Sequence, residues 1–334
     1  MSAVPDSFRA FRIRNDDAGY RGAVENLTLD ELSPGEVVIR GEWSSINYKD
    51  ALAGTGAGKI LRRFPLNGGI DVAGEVVESR DERFAPGDKV LVTGCHQSEK
   101  RDGGYSEYGR LEAKWVVPLP PGLSTREAMS LGTAGFTAAL CLHRMEALGQ
   151  RPEKGPIVVT GATGGVGSIA INLLTKAGYE VHAISGKVAE FDYLSELGAR
   201  QCISRHDLHW GQRPLETARW AGAIDNVGGE MLSGLSRVID LYGNIACCGM
   251  AGGMALQTTV MPLILRGVSL IGISSNNADY DTRSLLWDRL ANEWKPPALD
   301  RIANRVVGLE ELPEAFETML EGGSLGRTLV RLGD

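Results

Sequence analysis

Several things are scarce in this 334-residue chain, and each scarcity excludes a class of protein. No run of about 18 apolar residues occurs, so no membrane-spanning helix is expected. Basic residues are outnumbered, 35 Lys and Arg against 42 Asp and Glu, giving a net charge of −7. There is therefore no general basic surface, and nucleic acid is not an expected partner. Cysteines number five (Cys95, Cys141, Cys202, Cys247 and Cys248). They show no paired metal or disulfide spacing, and scattered thiols suit a reducing compartment. The N-terminal stretch with Asp6, Arg9, Arg12 and Arg14 has no apolar signal core, which predicts a cytoplasmic protein. Aromatic residues make up only 6% of the chain, while glycine is abundant at 43 residues, a balance that suits an α/β enzyme with many tight turns.

The feature that organises the chain is Ile157–Gly167, IVVTGATGGVG. A short apolar strand leads into Gly161, Gly164, Gly165 and Gly167. A segment with apolar residues at helical spacing follows, Val166, Ile169, Ala170, Leu173 and Leu174. Strand, glycine turn and helix form a dinucleotide corner. The first glycine permits the turn, the middle ones let backbone approach a pyrophosphate, and the last lets the helix pack on the strand. The helix N-terminus offers unpaired N–H groups to the phosphates. A structural corner without ligand is the alternative.

The next strand, Tyr179–Ile184, ends in Ser185-Gly186-Lys187. An NAD-binding unit carries an Asp or Glu there for the ribose hydroxyls. A hydroxyl and an ammonium instead suit a 2′-phosphate, so NADPH is favoured over NADH. Arg205, after the run Gln201–Ser204, is either a second positive charge beside that phosphate or a plain surface residue.

Ahead of this corner the chain reads as short strands with Gly/Pro turns: Phe8–Arg14, Glu36–Glu42, Asp71–Val77 and Phe84–Val92, then a glycine turn at Asp102–Tyr108. This predicts a β-rich, barrel-like domain. The strand pattern is expected to break at Trp43 into a polar turn and a short helix. Two helical stretches, Glu127–Ala139 and one ending at Met145–Gly149, lead to the corner. After Lys187, strands and helices alternate through Val268–Ile273, which implies a parallel doubly wound sheet. The tail from Asn276 is expected to return to the first domain. The expected division is 1–126 with 275–334 against 127–274.

The strings WSSINYKDAL (Trp43–Leu52), GTAGFTAALC (Gly132–Cys141), VVTGATGGVGS (Val158–Ser168), WAGAIDNVG (Trp220–Gly228), TTVMPLILR (Thr258–Arg266) and GRTLVRL (Gly326–Leu332) are spread along nearly the whole chain. In them the protein resembles the acrylyl-CoA reductase branch, the YhdH/YhfP-type quinone oxidoreductases, of the medium-chain dehydrogenase/reductase superfamily. The resemblance implies an α/β fold, a Rossmann doubly wound parallel sheet plus a GroES-like β-rich partial barrel, and a homodimer joined through the Rossmann edge strand Val268–Ile273. It implies zinc-independent, NADPH-dependent reduction of acrylyl-CoA to propanoyl-CoA. The sequence independently lacks the Cys that zinc members carry after the strand at Glu36–Trp43, and Cys95 is alone where a four-cysteine lobe would stand.

By the resemblance, cofactor contacts fall on Tyr48, Thr163, Gly164, Gly165, Val166, Ser185, Gly186, Lys187, Arg205, Met250, Ile264, Ser275 and Glu321. Lys187 stands where Arg is common in the family. Tyr48 is the candidate for positioning the nicotinamide and relaying a proton, with Asn47 and Asp50 orienting it. The plainer alternatives are that Asn47 caps a helix, that Asp50 pairs with Lys49 or Arg63, and that Tyr48 packs. Lys59, Arg62 and Arg63 are either a CoA-phosphate site or a solvated basic loop. Two further functions stay open: a broad NADPH-dependent quinone or enone reductase, and a non-catalytic NADPH-binding protein.

Overall fold

The structure is a computed structural model and describes residues 4–333. The chain divides into two compact units. One comprises the chain up to Thr133, Asn276–Ala291 and the chain from Leu299 on; the other comprises Ala134–Ser275 and Asn292–Ala298.

The first unit opens with a hairpin, β1 (Phe8–Asp16) and β2 (Gly19–Leu27), in a register that pairs Asp16 with Gly19. β2 was not expected, because its exposed polar and small residues hide the strand alternation. β3 (Val37–Ile46) is followed by α1 (Tyr48–Thr55), β4 (Leu66–Asn67), β5 (Asp71–Ser79), β6 (Lys89–Thr93), β7 (Tyr108–Leu111) and β8 (Val117–Pro118). The strand does not break at Trp43. β3 runs on to Ile46, because Ser44 and Ser45 satisfy their hydroxyls on Asp71 and so tolerate burial in a strand. The stretch after Ser124, labelled α2 (Thr125–Ala147), is two helices as expected, but the break falls at Gly132 (φ 51°, ψ −156°), not between Ala139 and Met145.

In the second unit come β9 (Ile157–Thr160), α3 (Gly165–Lys176), β10 (Val181–Ser185), α4 (Phe191–Glu196), β11 (Gln201–Ser204), β12 (Trp220–Asp225), α5 (Gly229–Val238), β13 (Ile239–Cys247), α6 (Met261–Leu265) and β14 (Ser269–Gly272). The six strands pair in parallel in the order β11-β10-β9-β12-β13-β14. The order reverses direction next to β9, and such a switch point is where doubly wound sheets take ligands. The strands read as continuous apolar runs because both faces are covered: Ile157, Val158 and Val159 are all fully buried.

The tail adds α7 (Tyr280–Ala291), α8 (Leu299–Ile302), β15 (Arg305–Val307), α9 (Leu312–Leu320) and β16 (Thr328–Arg331). β16 lies antiparallel to β3, pairing Thr328 with Ile46 and Arg331 with Trp43. The resulting sheet runs β15-β16-β3-β5-β6-β8, with β7 also on β3. Its core packs Phe11, Ile39, Val76, Tyr105 and Phe316. Among the described residues no helix is long and apolar enough to cross a membrane.

Candidate active site

Each unit builds a polar site of its own. In the second unit, Gly161 (φ 58°) turns the chain out of β9. A Cβ on Gly167 would lie 2.4 Å from Gly161 O and 2.8 Å from the Ala162 Cα, so only glycine lets α3 sit this close to β9. Gly164 caps α3 and brings no side chain to its first N–H groups. Those donors, lacking intrahelical partners, are open to an anion.

At the end of β10, Ser185 is 4% exposed. Its hydroxyl accepts from Lys187 N (3.0 Å) and meets Thr163 Oγ1 (3.3 Å). Ser185 thus shapes the turn and ties it to the glycine loop. A Cβ on Gly186 would lie 2.6 Å from Arg205 Nε, so the guanidinium of exposed Arg205 rests against the backbone of Gly186. Burial lowers the Lys187 pKa, with Glu190 acting the other way. Two cationic side chains therefore flank a turn that carries no carboxylate. The residues fit a dinucleotide bearing an extra phosphate on its adenosine ribose. Met250 and Ile264 are 65% and 73% exposed, while Ser275 is half-buried and ends the longer of this unit's two segments.

Sequence reasoning missed Asp225 at the end of β12. This fully buried carboxylate accepts from Thr160 Oγ1 (2.6 Å) and Gly228 N (2.8 Å), binding the ends of β9 and β12 together. Burial raises its pKa against those hydrogen bonds. An Asp closing an apolar strand before Asn-Val-Gly was the available signal.

The first unit's site lies at the β3–α1 turn. Tyr48, the first residue of α1, is 50% exposed and so does not simply pack. Asn47 is held on every side. Its Nδ2 donates to Asp71 Oδ2 (2.8 Å) and Asp50 Oδ2 (3.2 Å), and its Oδ1 accepts from Arg327 Nη1 (3.0 Å). Asp50 is 1% exposed and accepts from Asn47 N and Ile70 N, both at 2.9 Å. Burial, then the nearby Asp71, pushes its pKa up to about 7 against these donors. Asp50 pairs with neither Lys49 nor Arg63. Lys49 bonds Glu99 (2.9 Å), and Arg63 bonds Lys100 O and Ser33 Oγ.

Beneath the turn lies a buried network that the sequence did not disclose. Asp71 also accepts from Ser45 Oγ (2.8 Å), Thr133 N (2.9 Å) and Thr133 Oγ1 (2.5 Å). Arg327 lies 3.7 Å from Asp71 and donates to Ile46 O, Ser45 Oγ and Ser130 O. Burial lowers the Arg327 pKa, and Asp71 and Asp50 oppose it. Gly132 is glycine because a Cβ there would meet Arg327, Asp71 and Ser45 within 2.7 Å. Lys59, Arg62 and Arg63 are exposed, and Glu321 is an exposed residue capping the end of α9.

A six-stranded dinucleotide-binding sheet paired with a β-rich unit defines the class, a dehydrogenase or reductase of the medium-chain type. Two family models match: the alcohol dehydrogenase GroES-like domain over residues 33–121 and zinc-binding dehydrogenase over residues 165–292. The chain is 42% identical over 326 residues to the acrylyl-CoA reductase AcuI of Ruegeria pomeroyi, covering 97% of this chain and 98% of that protein. It is 47% identical to YhfP of Bacillus subtilis, provisionally described as a quinone oxidoreductase, over 97% and 99% of the two chains. The structure of YhfP with NAD bound superposes with a TM-score of 0.95 at 45% identity, covering 98% of this chain and all of that one. Escherichia coli YhdH with bound NADPH gives 0.93 at 44% identity, covering 97% and 100%. The protein belongs to the acrylyl-CoA reductase (YhdH/YhfP-type quinone oxidoreductase) family of the medium-chain dehydrogenase/reductase superfamily.

The second family model is named for zinc, but this chain's donors do not fit that metal. Among the described residues no three His, Cys, Asp or Glu side chains converge. Cys95 is buried, and burial pushes its thiol up to about 11.

Proposed function

We propose that the protein reduces 2-enoyl thioesters with NADPH, turning acrylyl-CoA into propanoyl-CoA without zinc. The observation that carries this reading is the Ser185-Gly186-Lys187 turn with Arg205 laid against Gly186, a carboxylate-free pair of cations suited to a 2′-phosphate. The names of AcuI and of NADPH-bound YhdH support it. In this reading residues 127–274 carry the cofactor, and 1–126 with 275–334 serve the substrate.

Bound NADPH supplies a hydride for the β-carbon, which the thioester carbonyl leaves electron-poor. Thr163, Gly164, Gly165 and Val166 hold the pyrophosphate through backbone N–H groups at the start of α3. Met250, Ile264, Ser275 and Glu321 contribute along the nicotinamide half. Tyr48 positions the nicotinamide. Asn47, locked by Asp50, Asp71 and Arg327, fixes the turn from which Tyr48 projects. Exposed Lys59 and Arg62 receive the CoA phosphates, with Arg63 anchoring their loop to Lys100. Replacing Lys59 and Arg62 by Ala is expected to raise KM for acrylyl-CoA and leave KM for NADPH unchanged. An unchanged acrylyl-CoA KM removes the phosphate role.

A second reading, a broad quinone or enone reductase, is favoured by the description of YhfP. Comparing kcat/KM for acrylyl-CoA and for a simple benzoquinone decides between them, and we expect the thioester to win. No NADPH oxidation with either substrate would leave a non-catalytic binding protein. We further assign a homodimer through β14, the outermost strand of its sheet, since an open edge that follows the exposed apolar residues Leu263 and Leu265 in the chain calls for a cover. Five free thiols suit the reducing cytoplasm, where we place the enzyme.

A further inference from the structure

The loop from Gly94 to Arg101, after β6, concentrates backbone strain. Cys95 (φ 52°), His96 (φ 65°) and Ser98 (φ 53°) are all left-handed, and the other non-glycine residue in that region among the described residues is Tyr242. Each such residue costs on the order of 1–3 kcal/mol and persists only where its surroundings impose it. Gln97 Oε1 and Ser98 Oγ are also buried without a hydrogen-bond partner, in residues 4% and 0% exposed. Strain and unpaired polar atoms in one short loop point to a functional constraint on what the loop presents.

What it presents is His96, whose side chain is 29% exposed. His96 N donates to Asn276 Oδ1 (3.2 Å), and Asn276 Nδ2 faces His96 Nδ1 at 3.4 Å. Glu99 Oε1 lies 3.7 Å from the same Nδ1, and Glu99 Oε2 accepts from Lys49 Nζ (2.9 Å). The loop is thus fastened to the residue after Tyr48 and to the residue after Ser275. It is also fastened to the basic segment, since Arg62 N donates to Glu99 O (2.7 Å) and Arg63 Nε to Lys100 O (2.9 Å). Those are the neighbourhoods the proposed function assigns to nicotinamide, thioester and CoA phosphates.

We propose that His96 is the acid that protonates the α-carbon of the substrate, an inference that rests on the enoyl-thioester reading. Hydride addition at the β-carbon leaves a thioester enolate. Its carbon–carbon π pair takes the proton from Nε2: the α-C–H bond forms, the Nε2–H bond breaks and the carbonyl is restored. The neutral ring then regains a proton from solvent at its exposed edge. Nδ1–H stays on the ring throughout, with the Glu99 carboxylate 3.7 Å from Nδ1 to offset the charge of the cation and Asn276 Oδ1 accepting from His96 N (3.2 Å). Burial works to raise the Glu99 pKa, but Lys49, His96 and Lys100 outweigh it, so the carboxylate is held below its usual range and stays available as the anion. Other groups around the loop include Cys95, whose buried thiol stays protonated, Arg283 behind it, which donates to Thr93 O (2.8 Å), and Glu112, which accepts from Arg101 Nη2 (2.7 Å).

The test uses the full chain with acrylyl-CoA and NADPH, comparing wild type with His96→Gln, His96→Ala and Glu99→Gln. Loss of the acid should lower kcat roughly a hundredfold or more with NADPH affinity unchanged. Glu99→Gln, which removes the charge beside Nδ1, should lower kcat less than His96→Ala does. Added imidazole should restore part of the His96→Ala rate, which a merely structural residue would not allow. Wild-type turnover with His96 variants that keep its rate overturns this inference alone, and so does a slowed His96→Ala that imidazole does not rescue. A wild type that does not reduce acrylyl-CoA overturns the substrate reading and this inference with it.

Discussion

At the scale of single residues, Asp50 links the candidate site to pH. Its folded pKa is raised to about 7, so the folded chain holds a proton that the unfolded chain has released above about pH 4. Asp50 therefore contributes stability that is fully present in acid and is lost as pH rises through about 7. Asp50→Asn should flatten this part of the unfolding free energy measured by urea denaturation at successive pH values. It should also lower stability overall by ~1–3 kcal/mol, because one of the N–H groups of Asn47 or Ile70 would face an amide N–H. A variant with the wild-type slope between about pH 4 and about pH 7 would assign the proton elsewhere. Lys187→Ala and Arg205→Ala should each raise KM for NADPH roughly tenfold or more, the worth of a charge-assisted hydrogen bond, and leave KM for NADH unchanged. Equal effects on both cofactors would detach these cations from the 2′-phosphate. Lys187 and Arg205 were visible in the sequence because each follows a readable strand. Asp71 and Arg327 were not, since their partners lie 62 and 281 positions away in the chain, at Thr133 and Ile46. Pairings that distant leave no local pattern.

Among elements, the corner of β9 and α3 was the most legible, because glycine spacing and apolar periodicity are local and agree with each other. Gly167→Ala should push α3 off β9, costing ~1–3 kcal/mol as overpacking does and weakening NADPH binding. An unchanged Tm with full NADPH affinity would show that the corner tolerates a side chain. β3 was less legible. Ser44 and Ser45 look like turn residues until their hydroxyls are seen bonded to Asp71. Ser45→Ala should cost ~1–3 kcal/mol in thermal unfolding, since it takes the acceptor from a buried Arg327 N–H. β2 was invisible for the opposite reason: one face is solvated and its partner β1 carries the apolar residues.

For the whole molecule, alternating strands and helices predicted the parallel sheet, and its strand order is the doubly wound one. The proposed dimer was suggested in the sequence only by the apolar run Val268–Ile273 and by the family resemblance. In light-scattering chromatography the protein should run at twice its 35.8 kDa chain mass; a monomer at working concentration would leave β14 uncovered and contradict the edge pairing. Beneath catalysis, assembly and proton supply lies cofactor choice, which one calorimetric titration tests. Titrated separately into the enzyme, NADPH should bind at one site per chain and NADH at least tenfold more weakly, by ~1.4 kcal/mol or more. Equal affinity for the two, or no binding of either, would contradict the account at its centre.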